Sequence, residues 1–232
     1  MHANPGRYLL HAITGAVCRG VFISLIFLLF NCSYANAQRF FRDYDEAPTD
    51  GIGLNLAFDA PVGNLQYTYK PAINYNLSYY RFFDHATATV GIGYRTYKPK
   101  QDVFYYAVGD NDYGTISYSD FRSYIAYLGA AYNIDITDGV KAFGGFNLGC
   151  YITKFRFHSA DAFVNSDEQI DGEQEAYFAP KLGASIDIGD NLQLNFEGAY
   201  SIFAPTGKRE WNHRVGTIYS SFNIGSGIVF KF

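Results

Sequence analysis

From Ser221 to Phe232 the side chains alternate. Phe222, Ile224, Ile228, Phe230 and Phe232 hold one set of positions, Asn223, Gly225, Gly227 and Lys231 the other, with Ser226 and Val229 as exceptions. A period of two makes a strand with one greasy and one polar face. The pattern recurs upstream. Ile52, Leu54, Leu56 and Phe58 oppose Gly53, Asn55, Ala57 and Asp59, and Ile73, Tyr75, Leu77 and Tyr79 oppose Asn74, Asn76 and Ser78. Ala88, Val90, Ile92 and Tyr94 oppose Thr89, Gly91, Gly93 and Arg95; later come Tyr124 to Tyr132, Val140 to Ile152, Phe178 to Ile188 and Leu192 to Tyr200.

Between these segments the connections alternate in length. Ala60-Pro61-Val62-Gly63 opens a medium one, Phe83-Asp84-His85 is a short turn, and Lys98 to Ser119 is long and polar. Thr137-Asp138-Gly139 is short, Lys154 to Gln174 long, Gly189-Asp190-Asn191 short and Phe203 to Arg214 medium. Short turns on one side and longer loops on the other describe an up-and-down barrel in a membrane, and each segment supplies about nine to eleven residues, enough for a tilted strand to cross hydrocarbon. A two-sheet sandwich is the competing architecture. It would carry Lys, Glu and Thr on its solvent face and few glycines there, whereas here one face is nearly free of charge and the other mixes Lys, Asp, Glu and Asn with many glycines. Glycine suits the lumen of a barrel of about eight strands, where small residues make room for large ones such as Tyr127, Phe143 and Tyr151. The expected fold is all-β: a closed up-and-down antiparallel transmembrane β-barrel of about eight strands, with N- and C-termini periplasmic.

Composition supports this reading. Aromatic residues make up 19% of the 232, with 21 Tyr and 21 Phe against one Trp, which favours strands. A net charge of -4 gives no basic footprint, so nucleic acid is not an expected partner. At the N-terminus Arg7 and Arg19 precede an apolar run from Val21 to Phe30, and Ala35-Asn36-Ala37 offers a small-x-small cleavage site. The run is short of the roughly 20 residues that a spanning helix needs, so residues 1–37 read as a cleaved signal peptide, 38–50 as a periplasmic lead-in and 51–232 as the barrel. Asn31 before Cys32 argues against a lipid-modified cysteine. Cleavage leaves Cys150 alone, without an internal disulfide partner.

The layout from Gly51 to Phe232, ending in Ile228-x-Phe230-x-Phe232, resembles the small eight-stranded outer-membrane barrels of Gram-negative bacteria, the OmpX, OmpW and OmpA-barrel type. The resemblance implies residence in the bacterial outer membrane among its lipids and lipopolysaccharide. It also implies that Ile228, Phe230 and Phe232 form the terminal signal read by the barrel-assembly machinery. It says little about activity, since one such fold hosts adhesins, channels and enzymes.

Register predicts interior contacts. If Gly189-Asp190-Asn191 is a three-residue turn, Ile188 lies opposite Leu192, Gly183 opposite Glu197, and Lys181 becomes a diagonal neighbour of Glu197. The same treatment of Thr137-Asp138-Gly139 sets Asp135 opposite Lys141 near the periplasmic rim. Charge satisfaction inside a packed lumen explains both pairs better than a proton relay or ion path does.

Other candidates are weaker. His158 and Ser159 are neighbours in an expected loop, and adjacent strand residues point to opposite faces, which suits a solvated loop better than a catalytic pair. Gly109 to Gly114, with Asp161, Asp167, Glu168, Asp171 and Glu173, offers oxygen ligands but no complete calcium-loop pattern. Lys208, Arg209, Trp211, His213 and Arg214 make the last loop basic, suited to lipopolysaccharide phosphates or to the acidic loops. Tyr79, Tyr94, Tyr97, Tyr124, Tyr132, Tyr200 and Tyr219 are expected in interfacial girdles.

No catalytic residue, metal or cofactor is expected. The leading function is a non-enzymatic integral outer-membrane protein with a structural or surface-interaction role and an extracellular or envelope protein partner. A narrow channel for small or apolar solutes and an envelope-lipid-modifying enzyme are the alternatives.

Overall fold

The structure, a computed structural model, describes residues 49–107, 113–160, 165–205 and 219–232, including all their side chains except those of 165–173 and 205. The expected signal peptide and the lead-in through residue 48 lie outside them. In chain order the elements are β1 (Asp50–Val62), α1 (Asn64–Thr68), β2 (Ala72–Phe82), β3 (Ala86–Tyr97), β4 (Phe104–Ala107), β5 (Tyr113–Tyr118), β6 (Phe121–Thr137), β7 (Val140–Ala160), β8 (Asn165–Ile188), β9 (Leu192–Pro205) and β10 (Tyr219–Lys231). Among the described residues no helix is long and apolar enough to cross a membrane, which says nothing of strands.

Eight of the strands close on themselves. β1, β2, β3, β6, β7, β8, β9 and β10 each pair antiparallel with the next, and β10 returns to β1 with Gly51 opposite Lys231. Closure matters because hydrocarbon has no hydrogen bonds to offer an open sheet edge. The short turns β2–β3, β6–β7 and β8–β9 lie at one end with Asp50 and Phe232, whose backbones bond to each other. The long connections lie at the opposite, loop end.

Alternation sets the two faces as their chemistry requires. Leu54 is 66% exposed, Ile224 60% and Ile186 38%, while Gly53, Asn223 and Ser185 beside them on the chain are buried. No charged residue interrupts the outward face between Ile52 and Ala60 on β1, Tyr124 and Ile136 on β6 or Ala176 and Ile188 on β8. Charge returns only at the edges, as the Asp50–Arg81 ion pair (2.7 Å) at the turn end and as Arg122 and Lys154 at the loop end. Inside, large side chains lie over glycines on the neighbouring strand. Tyr127 stands opposite Gly91 and Phe143 opposite Gly183, and a Cβ on either glycine would collide with the facing ring.

The segment from Lys154 to Gln174, expected to be a loop, is instead a continuation of β7 and β8 above the barrel. Phe155 and Phe157 still alternate with Lys154, Arg156 and His158, so the strand period persists where the outward face meets water rather than lipid. The Lys98–Ser119 connection likewise contains the β4–β5 hairpin, and β5 pairs with β7 beyond the point where β6 ends. The result is a raised sheet β4-β5-β7-β8 at the loop end. β1 runs on to Val62, through the Ala60-Pro61-Val62 stretch expected to open a connection, and α1 follows it at once.

Candidate functional site

The interior of the loop end is the densest cluster of specific contacts. Asp59 and Arg95 are wholly buried there, brought together from β1 and β3 across the lumen. Arg95 Nη1 donates to Asp59 Oδ2 (2.5 Å) and to Ser221 Oγ (3.0 Å), and the Tyr97 hydroxyl donates to Asp59 Oδ1 (2.6 Å). Around the guanidinium stand the rings of Tyr151, Phe203 and Tyr97, with centroids 4.5, 4.7 and 4.9 Å from Cζ. Among the described residues Arg95 Nε and Nη2 have no oxygen partner, and the aromatic faces stand around them. An arginine tolerates this because its flat, weakly hydrated cation stacks on rings.

Above this cage the loop end is corked. Leu65 of α1 and Tyr69 just after it are buried, in one cluster with Tyr97, Phe121, Phe155, Phe203 and Tyr219. The Tyr69 ring meets Phe121 edge-on (5.5 Å) and Tyr97 and Tyr118 at a tilt (6.4 and 6.2 Å). Its hydroxyl donates to the Ser119 carbonyl (3.3 Å), and burial raises its pKa above the ordinary phenol value, so it stays a neutral donor. Backbone pairing clamps the lid: Lys70 N donates to Lys98 O and Lys100 N to Thr68 O, both at 2.8 Å.

Tyr97 and Tyr219 therefore do not belong to the girdle assigned to them. Both have the parity of the inward residues on their strands, with Arg95 and Ser221 as neighbours two positions away, so alternation sends them into the lumen. Tyr94, Tyr124, Tyr132 and Tyr200 do lie outside, and Tyr79 also has outward parity, with its hydroxyl donating to Asp50 Oδ1 (2.5 Å).

Below the cage, charges again come in pairs. Lys181 Nζ lies 3.1 Å from Glu197 Oε2, with Ile188 opposite Leu192 and Gly183 opposite Glu197. Nearer the turn end Lys231 Nζ binds Asp187 Oδ1 (2.8 Å), which also accepts from Gln193 Nε2 (3.0 Å). Asp135 and Lys141 are register partners 3.4 Å apart. They meet through a two-residue Asp138–Gly139 turn and an irregularity at Ile136, with Gly139 at φ 76°, rather than through a three-residue turn. Tyr127 OH and Ser78 Oγ bridge β2 and β6 at 2.8 Å. Each lumen lysine or arginine named here is held by a carboxylate from another strand, so the charge belongs to the wall. Glu197→Gln is expected to lower the melting temperature in detergent by about 2–5 °C, a partly screened pair being worth little more. An unchanged melt with altered conductance would instead assign the pair to ion transport.

The other candidates are not assembled into a site. His158 is exposed, whereas Ser159 points the other way and its Oγ meets Tyr106 OH at 2.9 Å. His158 pairs in register with Ser117 and Asp167. Residues 109–112, Asp161 and the basic loop residues Lys208, Arg209, Trp211, His213 and Arg214 lie outside the described residues. Asp167, Glu168, Asp171 and Glu173 fall on β8. Among the described residues no three His, Cys, Asp or Glu stand together as a metal site would need. Ile228 and Phe230, on β10, and the terminal Phe232 face outward, with the Phe230 and Phe232 rings 6.4 Å apart. Sequence reasoning missed the Asp59–Arg95 cage. Its signal was faint: two charges on inward parity near the same end of two strands separated by an unpredictable loop.

A closed eight-stranded barrel with an uncharged apolar belt outside and a packed polar and aromatic interior is a transmembrane β-barrel of the outer-membrane type. No protein-family model and no curated protein matches the chain. Among solved structures, neisserial surface protein A aligns over 81% of this chain and 100% of its own at 17% identity, with a TM-score of 0.49. Ail, the attachment invasion locus protein of Yersinia pestis, covers 80% and 100% at 15% identity and 0.44. The translocator domain of the autotransporter NalP from Neisseria meningitidis covers 92% and 99% at 8% and 0.42. Likenesses at these levels decide nothing about this protein, whose class stands on its own belt, closure and register.

Proposed function

We propose that this is a non-enzymatic integral protein of the bacterial outer membrane, with its termini in the periplasm and its loop end outside. Its role is structural or interactive, carried by the sheet β4-β5-β7-β8 that stands above the barrel and offers an extracellular or envelope protein a surface. Ile228, Phe230 and Phe232 serve as the signal to the barrel-assembly machinery. The observation that favours this over a narrow channel is the cork of Leu65, Tyr69 and the caged Arg95, which fills the lumen with side chains held by hydrogen bonds and ring contacts. An envelope-lipid enzyme has less support, because Ser159 is turned away from His158.

The test is electrical. Purified barrel inserted into planar bilayers is expected to give no conductance steps, and removal of α1 with Tyr69 is expected to produce them. Steady unitary conductance from the unmodified protein would overturn the closed reading in favour of the channel.

A further inference from the structure

The rim of the loop end carries cations in an arrangement that the cork does not use. Arg122 on β6 and Lys154 on β7 are register partners, and Arg156 lies two residues beyond Lys154 on the same face. All three are exposed. That face is the outward one. Directly beneath Arg122 and Lys154 on the same two strands sit Tyr124 and Ile152, themselves register partners, and the Tyr124 ring lies 5.1 Å from that of Tyr94. Two residues of strand rise about 7 Å, so the cations stand one headgroup's depth above the last lipid-facing aromatic side chains.

The position is fixed by backbone contacts. Arg156 N donates to Ser119 Oγ (2.8 Å) and its carbonyl accepts from Ser119 N (2.9 Å). Arg122 is flanked on its other side by Thr96, whose hydroxyl donates to Tyr94 OH (2.6 Å). Lys154 stands opposite Asp171 in register and is not without a partner of its own, so the argument rests on the two arginines. Among the described residues neither Arg122 nor Arg156 has a carboxylate partner, and Gln169 is the residue opposite Arg156. The other end of the barrel has the opposite sign: each short turn exposes an aspartate, Asp84, Asp138 and Asp190.

We infer that Arg122 and Arg156, with Lys154 between them, form a binding surface for the phosphorylated headgroups of lipids in the leaflet at the loop end. The inference rests on the membrane reading above and adds to it a place and a ligand chemistry. Three properties select a lipid over a soluble anion or an acidic protein: the shared face with the apolar belt, the height just above the tyrosines, and the planar guanidinium fork that suits phosphate oxygens.

The test uses the full barrel in nanodiscs of phosphatidylcholine doped with phosphatidic acid, with native mass spectrometry counting the lipids that stay bound. The natural protein is expected to retain phosphatidic acid over phosphatidylcholine. Each basic side chain near an anionic surface is worth roughly a fivefold gain, so Arg122→Ser with Arg156→Ser should lower that retention about twenty-fivefold. The Arg122→Lys and Arg156→Lys pair should keep most of it. Equal retention by the serine variant, with its circular dichroism and unfolding unchanged, would overturn the inference. So would binding of inorganic phosphate in detergent, or of a polyaspartate peptide, with the same variant dependence and no preference among lipids. A barrel that fails to enter the nanodisc sinks the membrane reading itself, which is a separate result.

Discussion

Asp59→Ala is expected to destabilise the folded barrel by about 3–5 kcal/mol, the cost of stranding one partner of a buried ion pair. Arg95 would keep only the Ser221 hydroxyl, inside a ring of Tyr151, Phe203 and Tyr97 that offers π-faces but no carboxylate. Tyr97 would lose its acceptor as well. Removing both charges is a different matter. Asp59→Leu combined with Arg95→Met refills the volume without a charge to solvate, and such replacements are commonly neutral or stabilising by about 1–4 kcal/mol. Equilibrium unfolding by urea in phosphatidylcholine vesicles reads both. A loss under about 1 kcal/mol for Asp59→Ala would mean that water reaches Arg95 and that the cage is not dry.

Leu56→Arg tests the orientation of the whole barrel. Leu56 is 55% exposed, near the middle of the uncharged stretch of β1, opposite Ser226 and Tyr75. At the bilayer midplane an arginine on the lipid face costs about 2–4 kcal/mol, and near an interface about 0–1 kcal/mol, so Ala60→Arg at the loop-end edge should be much milder. In a water-soluble barrel both changes would be harmless, since a charge replaces an exposed apolar group. Unfolding in vesicles that shows no difference between the two variants would refute the membrane-facing belt.

How far the fold was legible depends on the length of each connection. Where a turn is short, its geometry sets register, and Ile188 opposite Leu192 follows from counting residues; Asp135 meets Lys141 as counted only because the irregularity at Ile136 makes up for a turn one residue shorter. Across a long connection nothing in the chain counts. The pairing of Asn74 with Arg95 follows when the β2–β3 turn is counted as Asp84-His85 alone, with Phe83 opposite Ala86, but that of Asp59 with Ala72 spans α1 and its lid, and so the meeting of Asp59 with Arg95 was hidden. Other errors came from the environment. Lys154, Arg156 and His158 looked like loop because they break the greasy face, yet the period of two survived in Phe155 and Phe157; above the bilayer the outward face is free to be charged. Tyr97 and Tyr219 were misplaced despite a parity that pointed inward.

Alternation along single strands determined, from the chain alone, which side chains face out and which face in, because side-chain direction in a strand is local. Turn length did the same for the hairpins. Which strands close the ring, that α1 and Tyr69 fold down over the loop end, and that Arg95 finds Asp59 and three aromatic rings were settled only in three dimensions, because each joins residues whose separation along the chain says nothing of their distance in space.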